Sequence, residues 1–131
     1  LIIIGGYGPL YEETLQYVQT LEIKNRVIII HYMSNPMPVL KQCDLFILSS
    51  IYEGLGLVIL EADTLGIPVI STDIPGPRGF MKEHGGYLVA PNADGIYEGM
   101  IAFGRGEVHA MNVDYEEYNR MAVDQFEQLF N

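Results

Sequence analysis

The sequence is short of cations, of cysteine and of long apolar runs, and each shortage removes a class of function. Lys and Arg number 7 against 17 Asp and Glu, for a formal net charge of −10. Such a balance argues against an electrostatic binder of duplex DNA or of an anionic membrane, so any phosphate the chain holds has to be met locally. One cysteine, Cys43, excludes an intramolecular disulfide. With three scattered histidines it gives no C-x-x-C or H-x-x-x-H spacing for zinc. A reduced, cytoplasmic compartment is the expectation. No apolar run approaches the roughly 18 residues that span a bilayer, and no basic stretch precedes the apolar start at Leu1-Ile2-Ile3-Ile4. That start is expected to be a strand already inside a fold. Internal repeats, low-complexity tracts and long linkers are also lacking.

What is present is enough apolar material for one core. The 131 residues are about one domain's worth of chain, and 49% of them are hydrophobic. Short β-branched runs at Leu1–Ile4, Val27–Ile30, Leu45–Leu48, Val69–Ser71 and Tyr87–Val89 alternate with amphipathic stretches. This alternation is the mark of β-α units on a parallel sheet, and the first three runs carry almost no polar residue, as strands covered on both faces should. Helices are expected at Leu10–Leu21, Pro36–Cys43, Gly56–Leu65, Ala93–Phe103 and Asp114–Phe130. In the third of these Leu57 and Leu60 are expected to face the core. The last should lay Tyr118, Met121, Ala122, Phe126, Leu129 and Phe130 along one stripe. The expected fold is α/β: an open, Rossmann-like parallel sheet of about five strands with helices on both faces, its ligand outside the carboxyl ends of the strands.

Two loops carry the candidate chemistry. Gly5-Gly6-Tyr7-Gly8-Pro9 joins the first strand to a helix whose first turn holds Glu12 and Glu13. Glycines there let the backbone approach a ligand, and a helix N-terminus offers free N–H groups to an anion. The dinucleotide fingerprint is incomplete: Tyr11 occupies its third glycine position, and His31-Tyr32 ends the second strand where a ribose-binding acid is required. A tight β-α turn without a ligand explains the same residues. The second loop, Ser49-Ser50-Ile51-Tyr52-Glu53-Gly54-Leu55-Gly56, follows the third strand and enters the helix that carries Glu61. It sets a carboxylate beside a helix N-terminus suited to phosphate, with a second carboxylate about one and a half turns along the helix, placed to accept hydrogen bonds from vicinal hydroxyls.

The segment from Glu53 to Ala62, E-G-x-G-L-V-x-L-E-A with its E-x7-E spacing, resembles the donor-binding motif of retaining glycosyltransferases of family 4, which have the GT-B fold. Further elements resemble the nucleotide-binding half of those enzymes in order and spacing. They are Gly6-Tyr7-Gly8-Pro9, Asn25-Arg26-Val27-Ile28, Leu40 to Ser49, Gly66-Ile67-Pro68-Val69-Ile70 and Gly85-Gly86-Tyr87-Leu88-Val89, and together they cover about residues 1–105. The resemblance implies retaining transfer of a sugar from a nucleotide-diphosphate donor, with no metal and no cofactor. Glu53, as the catalytic carboxylate, would bond donor sugar hydroxyls. The amides around Gly54, Leu55, Gly56, Leu57 and Val58 would hold the diphosphate, and Glu61 the ribose. Tyr32 and Met33 would meet the base, while Gly6, Tyr7 and Gly8 would line the phosphate side.

The same resemblance implies absences. Family members carry an Arg and Lys pair before the G-x-G-P turn and a further central strand, lying between the first strand here and the one at Leu45. They also have an N-terminal domain that binds a glycan or lipid-linked acceptor. The expectation is therefore a fragment of a two-domain protein, residues 1–131 forming its nucleotide-sugar-binding domain and 114–131 a C-terminal helix that crosses to the other domain. Such a fragment would be inactive by itself. The full protein would act in cell-envelope polysaccharide synthesis at the cytoplasmic face of a membrane, with peripheral association compatible with that setting and no nucleic-acid partner. A non-catalytic interaction domain on the same half-fold, or a nucleotide-sugar epimerase, is the alternative. Pro75-Gly76-Pro77-Arg78-Gly79 reads as a stiff loop, His31 either faces the crevice or is an ordinary hydrogen-bonded histidine, and Cys43 reads as core.

Overall fold

The computed structural model describes residues 1–129. The chain divides into two compact units, residues 1–39 and residues 40 onward.

In the first unit, β1 (Ile2–Ile4) and β2 (Ile28–Ile30) pair in parallel, Ile3 opposite Ile29. Helix α1 (Tyr11–Thr20) lies between them in sequence, with Glu12 and Glu13 in its first turn, where carboxylates complement the helix dipole. Residues Lys24–Arg26 make a 3-10 turn into β2. Val18 is buried, as the α1 periodicity predicts, and Ile3 and Ile29 line a groove with Leu10, Tyr11 and Thr14. Ile2, Ile4 and Ile28, however, are exposed. A strand's neighbours decide whether both its faces are covered, and isoleucine at every position of β1 and β2 does not reveal how many neighbours there are.

The second unit follows α2 (Met37–Leu40), one turn where a longer helix is expected. Its parallel sheet has the order β3 (Phe46–Leu48), β4 (Val69–Thr72), β5 (Tyr87–Val89). Every residue of the central strand β4 is buried. Successive side chains of a strand point to opposite faces, and β4 feeds two separate clusters accordingly. Val69 joins Leu48, Ile59, Ala62, Ile67, Phe80 and Met81, residues of β3, of α3 (Leu57–Thr64) and its following turn, and of α4 (Pro75–Glu83). Ile70 joins Val89, Ala102 and Val108, from β5, α5 (Ala93–Gly104) and the segment after it. Helices on both faces of a parallel sheet are the expected Rossmann-like arrangement.

Four further expectations need correction. The five strands make a two-stranded and a three-stranded sheet, not one. In α3 the core face is Ile59, Ala62 and Asp63, and Leu60 packs partly buried against the same cluster as expected, while Leu57 is 64% exposed; four successive apolar residues, Leu57 to Leu60, contain no periodicity from which a face could be read. Residues 75–79 are the first turn of α4 and not a loop. Pro75 stands at a position whose N–H has no intrahelical partner, so proline starts a helix there as well as it starts a turn. Finally, α6 (Tyr115–Gln128) has no buried residue. Tyr118 packs edge-on to Phe80 at 5.7 Å, whereas Met121, Ala122, Phe126 and Leu129 are exposed; Phe130 lies outside the described residues. The first turns of this helix meet the core, and beyond Tyr118 the residues of its stripe are exposed.

Candidate functional site

The loop from β3 to α3 carries most of the expected residues. Leu48 is the last buried residue of β3, after which Ile51 and Tyr52 emerge into solvent. Glu53, half-buried, turns its carboxylate back into the loop: Oε2 accepts from Ser50 Oγ at 3.4 Å and Oε1 from the Gly54 amide at 3.1 Å. Gly56 is the N-cap of α3 in the left-handed conformation, φ 75°, a geometry that costs a side-chain-bearing residue about 1 kcal/mol or more. Its neighbours also leave little room, since an added Cβ would lie 3.2 Å from Ile59 Cδ1.

No side chain caps α3. Its first amides therefore remain available to an anion, and the positive end of the helix dipole favours one. Glu61 stands exposed on the same helix. Thus Glu53, Gly54, Leu55, Gly56, Leu57, Val58 and Glu61 fall on one loop and the helix it starts. Leu57, expected in the core, instead stands in the exposed first turn beside these amides.

The other candidates lie in the first unit, at the carboxyl ends of β1 and β2. Gly6 is buried against His31: an added Cβ would stand 2.0 Å from Nδ1 and 2.5 Å from the carbonyl oxygen. Close approach of two strand ends therefore requires this glycine. Gly8 has φ 118°. The His31 ring packs between Tyr7 and Tyr11, at 5.3 and 5.2 Å. Tyr11, at the third fingerprint position, is thus a packing residue, and His31 is an aromatic spacer. Tyr32 follows and is exposed, with Met33 half-buried.

Sequence reasoning missed the supports behind the first loop. Thr72, at the end of β4, donates through Oγ1 to the Ser50 carbonyl at 2.5 Å, and Gly76 in α4 lies against the Glu53–Gly54 backbone. It also missed Asp63, buried on α3. Asp63 Oδ1 accepts from the Asn112 amide at 2.9 Å, and Oδ2 from the Val113 amide at 3.0 Å and Tyr115 Oη at 2.9 Å. Burial, then the hydrogen bond to Asp63 and its charge, push the Tyr115 hydroxyl well above its ordinary 10.0. The one available signal was a charged residue inside an apolar helix stretch, which burial permits only when it is satisfied. Among the described residues no group of three His, Cys, Asp or Glu side chains could hold a metal ion, and no helix is long and apolar enough to cross a membrane.

A β-α loop with a paired carboxylate and an uncapped helix start recurs in many α/β folds, so family membership rests on comparison. The model of the family described as Glycosyl transferases group 1 matches residues 1–121. The chain belongs to that family. An Escherichia coli relative, UDP-Gal:alpha-D-GlcNAc-diphosphoundecaprenol alpha-1,3-galactosyltransferase, is 33% identical over 94 residues, 70% of this chain and 24% of its own length. Among solved structures, TarM superposes with a TM-score of 0.78 at 22% identity over 99% of this chain and 28% of its own. Anabaena HepE in complex with UDP-glucose gives 0.70 at 23% identity over 85% and 33%. The group 1 fold seen here is that of a C-terminal GT-B glycosyltransferase domain, parallel sheets flanked by helices. The chain spans about a quarter of the length of the curated relatives it matches.

Proposed function

We propose that this chain is the donor-binding half of a retaining glycosyltransferase that takes a sugar from a nucleotide diphosphate. The observation that carries the reading is the loop from Ser49 to Gly56, which sets the Glu53 carboxylate immediately before the uncapped N-terminus of α3, with Glu61 exposed further along the same helix. The relatives support the donor class: one is named for UDP-Gal and a structural neighbour holds UDP-glucose.

In this reading the bond from the anomeric carbon to the diphosphate breaks, the diphosphate leaves with the electron pair, and an acceptor hydroxyl oxygen bonds to the same face, its proton passing to the departing diphosphate. Negative charge grows on the leaving diphosphate. The first amides of α3, with Gly54 and Gly56 allowing close backbone approach, stabilise it by fixed dipoles, which suits a chain of net charge −10. Glu53 accepts from sugar hydroxyls and is the carboxylate nearest the reacting carbon. Glu61 accepts from the ribose. In the first unit Gly6, Tyr7 and Gly8 take the phosphate side, and Tyr32 and Met33 the base. The acceptor, a glycan or lipid-linked glycan, is held by a domain outside this chain, and the whole protein works on the cytoplasmic face of a membrane in envelope polysaccharide synthesis. No metal or cofactor enters this scheme.

Titration of the full-length protein with UDP, GDP and ADP tests the reading. One of the three binds, and Glu61→Ala weakens that binding about tenfold, the worth of one hydrogen bond to a charged acceptor. Failure of all three to bind overturns the proposal.

A further inference from the structure

We infer that Thr72 and Gly76, at the junction of β4 and α4, are positioning residues that set where the Glu53 carboxylate stands, and so decide how strongly the site grips the sugar portion of its donor. The inference rests on the nucleotide-sugar reading above.

Thr72 is 1% exposed. Its single hydroxyl proton goes to the Ser50 carbonyl at 2.5 Å, with the Leu48 carbonyl at 3.5 Å as a secondary neighbour. The hydroxyl is buried and the Ser50 carbonyl partly so, and a polar group out of water left without its partner costs free energy, so this bond fixes the backbone of Ser50 relative to the sheet. Ser50 in turn donates through Oγ to Glu53 Oε2. The chain of contacts runs from a fully buried strand end, through one loop residue, to the carboxylate.

The second support is steric. A Cβ added at Gly76 would stand 1.7 Å from the Gly54 carbonyl oxygen and 2.4 Å from that of Glu53. Both are backbone atoms, which cannot swing aside as a side-chain tip can. Helix α4 cannot retreat either. Pro75 and Pro77 flank Gly76 and fix φ on both sides, Pro77 is fully buried, and Ile74 and Phe80 are anchored in the core. The yielding partner is the loop, whose tip residues Ile51 and Tyr52 are in solvent. Any side chain at position 76 therefore displaces the Glu53–Gly54 peptide, moving the carboxylate with it.

A positioning role and a merely structural one differ in what they change. Lost stability alone lowers the folded fraction and affects the nucleotide diphosphate and the nucleotide sugar equally. Misplacing Glu53 acts on the sugar alone. The quantity to measure, in the full-length protein by calorimetric titration, is the ratio of Kd for the best-bound nucleotide diphosphate among UDP, GDP and ADP to Kd for its glucose conjugate. Glu53→Gln lowers this ratio about tenfold, and Thr72→Val and Gly76→Ala lower it by a similar factor. Thr72→Ser, which keeps the hydroxyl, restores the wild-type ratio. Thr72→Val combined with Glu53→Gln falls no further than Glu53→Gln alone, because both act on one contact. A drop in Glu53→Gln with an unchanged ratio in Thr72→Val and Gly76→Ala overturns the positioning role and leaves the site reading standing. An unchanged ratio in Glu53→Gln overturns the sugar role of Glu53 and the positioning role with it.

Discussion

Strands β1 and β2 are each three isoleucines, while β4 reads Val-Ile-Ser-Thr with two hydroxyls, yet it is β4 that is wholly buried and the isoleucine strands that show three side chains to solvent. Hydrophobicity ranks these strands in the reverse of their burial. The difference lies in neighbours. Strand β4 has a strand on each side and a cluster of apolar side chains on each face, and its two polar residues are satisfied internally, Ser71 Oγ on the Thr72 carbonyl and Thr72 Oγ1 on Ser50. The β1–β2 pair has one ladder and an incompletely covered sheet. Position in the sheet outweighs residue type, and hydroxyls are no obstacle to burial once each has a partner.

Paired substitutions offer the strongest way to break this contrast. Ile70→Ala, which empties a fully buried site between β4 and α5, should cost about 2–5 kcal/mol in chemical denaturation, against less than about 1 kcal/mol for Ile28→Ala on the exposed face of β2. Equal costs would show that β2 is as well covered as β4. Next in size, Asp63→Ala strands two amides and a tyrosine hydroxyl. It should cost about 3 kcal/mol and speed amide exchange across residues 112–118, establishing whether that segment belongs to the core of the second unit. In the first unit the tightest spot is Gly6 against His31, so Gly6→Ala should destabilise β1 and β2 by about 1–3 kcal/mol, read from their amide exchange.

The smallest effect concerns Tyr115. Its raised pKa means that the folded state keeps a proton which the unfolded chain releases near its ordinary 10.0. Stability from this group is complete below about pH 10 and declines as pH rises from there through the raised folded value. Tyr115→Phe should flatten that alkaline decline relative to wild type in denaturation curves taken from pH 8 to 11.

Strand positions were legible because a three- or four-residue apolar run between turn residues has few other uses in a chain this size; β5 matches its expected bounds and the others differ by a residue or so. The Glu53–Glu61 motif was legible because its residues are adjacent in sequence and share one loop and helix. What escaped were relations across sequence. Thr72 lies 22 residues from Ser50, and Asp63 about 50 from the segment it holds. Thr72 falls one residue past the expected end of its strand, where a polar residue looks like the start of a loop. Proline misled at α4 because it serves a turn and a helix start equally well. The core face of α3 was hidden by its own start, since the four successive apolar residues Leu57 to Leu60 point all round the helix and can be turned any way on paper.

Helix α3 is only about 12 Å long at 1.5 Å per residue. One end is the uncapped start beside Glu53; near the other, Asp63 grips Asn112, Val113 and Tyr115. Mechanically it is a short rod with a free tip and a tethered tail. Whatever presses on the tip must either bend the rod or be felt at the tether, where Asp63 holds the segment that leads into α6.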